Sequence, residues 1–263
     1  MFKRRKHSDD RSAQGADNDE LRRTGIRRFA DVLSWNFSKL LAVNLFFLVC
    51  AAPTAVLFLL ALSGALPGYA FALSVVAACP TGGAVSACMF CISKMLYGEP
   101  GFLWGDLKRK FLENVKQAAL PGILSAAFLY GQVFFWGMLA FKSESTSVVW
   151  LIIGVLTLLL FILISPFVFL QFAYVELKTM QICTNSALLA FAHLPRSFAG
   201  AVLGNIIWIA FLLYLPASLL ATPLLALFGF SLSWLLWLMW AWSPFDKQFS
   251  IEETLRKRSG GIR

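Results

Sequence analysis

The sequence predicts an all-α, polytopic membrane helix bundle: six transmembrane helices, with five as the alternative count, and interfacial helices on the cytoplasmic side. Three observations predict it. Of the 263 residues, 59% are hydrophobic and 14% charged, against about 25% charged in soluble domains. Four stretches hold no Asp, Glu, Lys, Arg or His: Leu40–Ser93, Gln117–Phe141, Ser145–Val175 and Ser197–Phe245. Each exceeds the ~20 apolar residues of one crossing. None alternates apolar and polar residues as barrel strands do, and lipid offers backbone groups no partner outside a helix or a closed barrel.

The elements follow in chain order. Residues 1–30, opening MFKRRKHSDDRSAQGADNDE, read as a disordered basic-then-acidic cytoplasmic tail, too long and too hydrophilic for a cleavable leader. Residues 31–246 form the transmembrane domain, and 247–263 a short cytoplasmic tail. The first span runs from Leu40 to about Leu62, and SGALPGY (63–69) is a tight turn. The second runs from Ala70 to about Leu96 with Pro80 inside it. The third is Ala118–Phe141, followed by the polar turn KSEST (142–146). The fourth is Val148 to about Phe172. Gly200 to Trp242 is too long for one crossing and divides near Ala221–Pro223 into a fifth and a sixth.

The basic residues test the count. Of 23 Lys and Arg, six spans leave only Lys142 outside, and put both termini in the cytoplasm. Five spans would strand Arg256, Lys257 and Arg258 on the outer face. The net charge of +9 follows from this topology and from attraction to anionic inner-leaflet lipid. It calls for no nucleic-acid partner, since no module of interleaved basic and aromatic residues is visible.

GFLWGDLKRKFLENVKQ (101–117) is amphipathic: Leu103, Leu107, Phe111 and Val115 recur every fourth residue and Trp104 widens the face. It reads as an interfacial helix packed on its own bundle, or as a contact surface for a partner. A second cytoplasmic helix is expected within 176–196, ending near Pro195. Ser250 and Glu253 have the spacing of a capping box for a short terminal helix.

Little in the sequence points to chemistry. Cys88 and Cys91 share a helical face inside a span, with no second pair, and read as buried thiols. His7 and His193 offer no metal set, and no cofactor is expected. No nucleophile–base pair or phosphate loop can be assembled by spacing, so an enzyme is not expected. All 14 carboxylates lie outside the spans, which argues against proton or ion coupling. The stretch holding Pro80, Gly82 and Gly83 invites two readings. One is a kink with close helix packing, which is preferred. The other is a broken helix whose freed ends, with Asn44, Gln132 and Asn205, line a solute path.

Several of these residues also carry a likeness. Asn44 to Leu48 followed by Pro53, the element Pro80 to Ala84, Tyr97-Gly98-Glu99, the run Asp106, Phe111, Asn114, Gln117, and Leu177-Lys178 with Asn185-Ser186-Ala187 together resemble the YesL family of bacterial membrane proteins, over about residues 27 to 215. Pro53 and Pro80 are farther apart here than in that family, which implies an insertion in the first hairpin. The resemblance implies a bacterial cytoplasmic membrane and an accessory role beside a carbohydrate-uptake ABC permease. The alternative is an autonomous transporter or channel for a small neutral solute. Beyond the lipid bilayer, the sequence names no partner and no oligomeric state.

Overall fold

The computed structural model describes residues 26–97, 101–141, 148–213 and 222–249. The tail up to residue 25, Gly98 and Glu99, the turn at 142–146 with Lys142, Ala221, and the proposed cap at Ser250 and Glu253 lie outside the described residues. Every element among the described residues is a helix: α1 (Ile26–Trp35), α2 (Phe37–Leu62), α3 (Ala70–Val76), α4 (Cys79–Tyr97), α5 (Leu103–Phe141), α6 (Val148–Tyr174), α7 (Thr179–Ala192), α8 (Leu194–Leu213) and α9 (Thr222–Phe249). Six stretches are long and apolar enough to cross a membrane: Phe37–Leu62, Ala70–Leu96, Leu103–Ala140, Val148–Tyr174, Leu194–Phe211 and Leu225–Asp246. The chain is a multi-pass helical membrane protein.

Three features differ from the sequence expectation. Helix α1 begins inside the stretch assigned to the tail. Its Phe29, Val32 and Leu33 recur at helical spacing and pack on the core.

The amphipathic segment 101–117 and the third span form one 39-residue helix, α5, which runs through Pro121. At 1.5 Å per residue it is about 58 Å long, far more than a hydrocarbon core of about 30 Å. Proline removes one hydrogen bond from a helix interior. The helix nonetheless continues, because the turns on either side are clamped against α4 through Ala118 and Gly122.

The interruption of the second span lies at Ala77 and Ala78, between α3 and α4, upstream of the expected Pro80–Gly83. Pro80 has no N–H for the Val76 carbonyl, and its ring crowds that carbonyl, so the ladder fails before the proline. Pro80 itself then fits the first turn of α4. The Ala78 N–H bonds Val75 O at 3.2 Å, one residue short of helical register, and Thr81 N–H bonds Ala78 O at 3.0 Å.

The charged segments meet at one end. Arg28 Nε donates to Leu96 O at 2.7 Å, at the C-terminus of α4, where a cation suits the helix dipole. Lys94 pairs with Asp106 at 2.8 Å, and Arg109 reaches the same carboxylate at 2.9 Å. Gln117 Nε2 donates to Leu177 O, and Arg196 Nη1 to Ser243 Oγ at 3.1 Å. The core beneath is built on Leu40, Met89, Ile92, Leu107, Phe167, Leu170, Leu238 and Phe245, all buried. Val49, Leu59, Val133 and the Val148–Ile153 turns face outward, as a surface against hydrocarbon requires.

Candidate functional site

The middles of six helices line a half-open cleft of about 820 Å³, within the range of small-molecule sites. Phe47, Ala51 and Thr54 come from α2, and Thr81, Val85 and Met89 from α4. Gly122, Ala126 and Tyr130 come from α5, and Phe161, Ser165 and Phe169 from α6. Gly204, Asn205 and Trp208 come from α8, and Phe230, Ser233, Trp234 and Trp237 from α9. Each set lies near the centre of its span, so the cleft sits at mid-membrane depth. Its lining holds no Asp, Glu, Lys, Arg or His.

The wall between α4 and α5 is a close backbone approach. Small residues recur every fourth position on both sides: Ala78 just before α4 with Gly82 and Ser86 on it, and Ala118, Gly122 and Ala126 on α5. A methyl added at Gly122 would stand 2.7 Å from Gly82 N, and one at Gly83 2.8 Å from Val115 Cα. Only glycine fits there. Asn114 Nδ2 donates to Ser86 Oγ at 3.1 Å across the same seam.

The interruption at Ala77–Ala78 frees a carbonyl that engages Thr54, a hydroxyl of the cleft lining. With the Ala78 N–H turned to Val75, Thr54 Oγ1 donates to the Ser74 carbonyl at 2.6 Å. Tyr130 OH lies 2.6 Å from the same Oγ1. Threonine has one hydroxyl hydrogen, already given to Ser74, so Tyr130 is the donor. Phe58 stacks on the Tyr130 ring at 3.9 Å between centroids and holds it in place.

The residues singled out from sequence divide between roles. Gly82 and Gly83 are in the seam, and Pro80 opens α4 without lining the cleft. Asn44 is fully buried and staples α2 to α9: its Nδ2 donates to Ala226 O, and its Oδ1 accepts from Ser231 N–H at 3.1 Å. Gln132 joins α5 to α6, donating to Thr157 Oγ1 at 3.2 Å and accepting from Trp136 Nε1 at 3.1 Å. Of the three amides expected on a solute path, Asn205 alone lines the cleft, and its Nδ2 donates to Ala201 O at 2.8 Å.

The expected partner face is largely turned inward. Leu107 is fully buried, Leu103 and Phe111 pack on the core, and Val115 abuts Gly83. Phe111 meets the Phe46 ring edge-on at 5.6 Å. Trp104 is 54% exposed and faces out.

Cys88 and Cys91 are both buried in the core, and the Cys88 thiol donates to Val43 O at 3.5 Å. Among the described residues no three His, Cys, Asp or Glu side chains stand together to hold a metal. Sequence reasoning missed Thr54, Tyr130 and the tryptophans of the cleft. A hydroxyl directly after Pro53 in an otherwise apolar helix was the available signal for Thr54. No family model, curated protein or solved structure matches the chain.

Proposed function

We propose that the protein holds an uncharged, largely apolar molecule in its mid-membrane cleft and is not an enzyme. One observation carries this: a cleft of about 820 Å³ at the centre of the spans, lined almost wholly by apolar and aromatic side chains, with a few neutral polar groups and no acid, lysine, arginine or histidine. A site of that composition favours apolar surface with a small polar handle and rejects ions, whose desolvation nothing in the lining offsets. This narrows the solute-path reading to a binding site, since Asn44 and Gln132 are engaged between helices elsewhere.

Tryptophan quenching tests it. A brominated long-chain alcohol should quench the fluorescence of Trp208, Trp234 and Trp237 saturably. Ala51→Leu, which adds bulk to the lining, should weaken that quenching. Quenching that rises linearly with probe and ignores Ala51→Leu describes partition into the micelle, and would remove the proposal.

A second reading, the accessory role beside a carbohydrate ABC permease, draws support from the sequence likeness and from exposed Phe102, Trp104 and Leu112 at the basic end. Purification from native membranes in mild detergent, with mass spectrometry, tests it. A stoichiometric permease supports the role, and the protein recovered alone removes it. We place the basic end in the cytoplasm on the Lys and Arg distribution, and take the bacterial membrane from the sequence likeness alone.

A further inference from the structure

Serine and threonine hydroxyls in these helices mostly go to the carbonyl one turn back. Thr81 donates to Ala78 O at 2.6 Å, Ser93 to Phe90 O at 2.8 Å and Ser231 to Phe228 O at 3.1 Å. That is the ordinary use of a hydroxyl inside a helix. Ser125 of α5 and Ser165 of α6 depart from it. Both line the cleft, and neither hydroxyl makes a hydrogen bond among the described residues.

The packing of α5 on α6 brings these two together. Gln132 bonds Thr157, and one turn along Phe128 stacks on Phe161 with the centroids 4.6 Å apart. One turn further, the same antiparallel register sets Ser125 and Ser165 at one level on adjacent helices. Leu129, a turn from Ser125 on the same face, lines the cleft and is 44% exposed, so this part of the cleft is open to lipid.

Oxygens without a donor add to the pair. Pro166 has no N–H for the Ile162 carbonyl, and both residues line the cleft. On α8, Asn205 gives its Nδ2 to Ala201 O at 2.8 Å, and its Oδ1 accepts from no described group. A ligand head that fits must therefore donate as well as accept. An ester or ketone oxygen takes the serine hydrogens and leaves the Ile162 and Asn205 oxygens unmet. An ammonium or carboxylate would enter a lining with no counter-charge. A hydroxyl accepts from one serine and gives its own hydrogen to an oxygen.

We infer that the cleft holds an uncharged membrane lipid whose head is a free hydroxyl, seated at Ser125 and Ser165. The inference rests on the binding reading above and adds the ligand's head group and its seat. Two sources share this chemistry: a diacylglycerol and a polyprenol.

The test uses the full chain in micelles and three brominated chains of matched length, ending in a hydroxyl, a methyl ester or a methyl group. Each is read by saturable tryptophan quenching. The alcohol should bind about two- to tenfold more tightly than the other two, the effect of one hydrogen bond. In the double variant Ser125→Ala with Ser165→Ala that advantage should vanish, with hydrocarbon binding unchanged. Should the double variant not fold, either single replacement stands in and should lose part of the advantage. Diacylglycerol and polyprenol then compete with the brominated alcohol. The one that displaces it at the lower concentration identifies the source, and displacement by neither overturns the inference. An ester that binds as tightly as the alcohol, or an alcohol advantage that survives both replacements, makes the hydroxyl seat wrong while the cleft still binds. If no probe quenches saturably, both readings fall.

Discussion

Gly122→Ala and Gly131→Ala make the same chemical change in the same helix, and the structure gives them opposite signs. Alanine is the better helix former by about 1 kcal/mol. At Gly131 nothing lies within 4 Å of the added methyl, so that gain is free to appear. At Gly122 the methyl meets Gly82 N at 2.7 Å, Gly82 Cα at 3.1 Å and Ala78 O at 3.2 Å. All three are backbone atoms and cannot rotate aside. Ordinary contact begins at 3.4 Å, so α4 and α5 must part by about 0.7 Å, a gap that forfeits a quarter to a half of each dispersion contact along the seam. The Asn114–Ser86 hydrogen bond, already 3.1 Å, stretches with it. Overpacking costs about 1–3 kcal/mol, and with backbone on both sides the upper part of that range applies. The assay is unfolding in mixed micelles with rising SDS, followed by tryptophan fluorescence. Gly122→Ala should lower the midpoint and Gly131→Ala should leave or raise it. Equal midpoints for the two would refute the close approach of α4 and α5.

Three further outcomes follow from single contacts. Asn44→Leu leaves the Ser231 N–H and Ala226 carbonyl without their staple, and should cost about 1–2 kcal/mol in the same unfolding assay. Asp106→Leu should destabilise more than Lys94→Met, because it strands an ammonium that is 16% exposed, whereas Asp106 keeps Arg109 when Lys94 is gone. The double replacement should recover part of the loss, and a double variant no better than Asp106→Leu would contradict the pairing. Cys183, on the non-spanning helix α7, has its thiol pushed above the ordinary 9.0 by burial. In a chain with the other four cysteines replaced, the thiolate fraction and the alkylation rate should therefore still be rising at pH 9. A rate half-maximal at or below pH 9.0 would place that thiol in water.

Span positions were legible because charge is expensive in hydrocarbon. Leu62, Val148 and Leu96 fall at the ends of candidate spans in both sequence and structure. The seam was half legible: Gly82 and Gly83 stood out, but the partner row Ala118, Gly122 and Ala126 hides inside a helix whose alanines and glycines look ordinary. The cleft was illegible for a physical reason. A soluble helix shows its buried face by contrast with polar neighbours, whereas Phe161 in the cleft and Leu156 against lipid are equally apolar. The three amides show the same limit. Asn44, Gln132 and Asn205 each stand alone in an apolar run, and only the positions of α9, α6 and α4 decide which one staples, which one joins and which one lines. Helix α1 was missed because its short apolar stripe adjoins a long charged tail, and composition averaged over both reads as solvated chain.

The cleft's walls differ in what holds them, and that difference says which one yields to a ligand. Parting α4 from α5 means opening a glycine-lined seam along several turns, with dispersion lost at every contact and Asn114 released from Ser86. Parting α2 from α5 is cheaper. The ladder between α3 and α4 is already short of register at Ala78, and the Ser74 carbonyl is held by Thr54, whose oxygen is held in turn by Tyr130. Those are two hydrogen bonds worth about 0.5–1.5 kcal/mol each. The proline that ends the ladder thus ties α3 to the Thr54 side of the cleft, where α2 meets α5, through two hydroxyl groups. Tyr130→Phe keeps the ring stacked on Phe58 and deletes one of the two bonds. It should speed saturable quenching by the brominated alcohol, while Gly131→Ala, one residue along, should not. Equal entry rates in the two would put the yielding wall elsewhere.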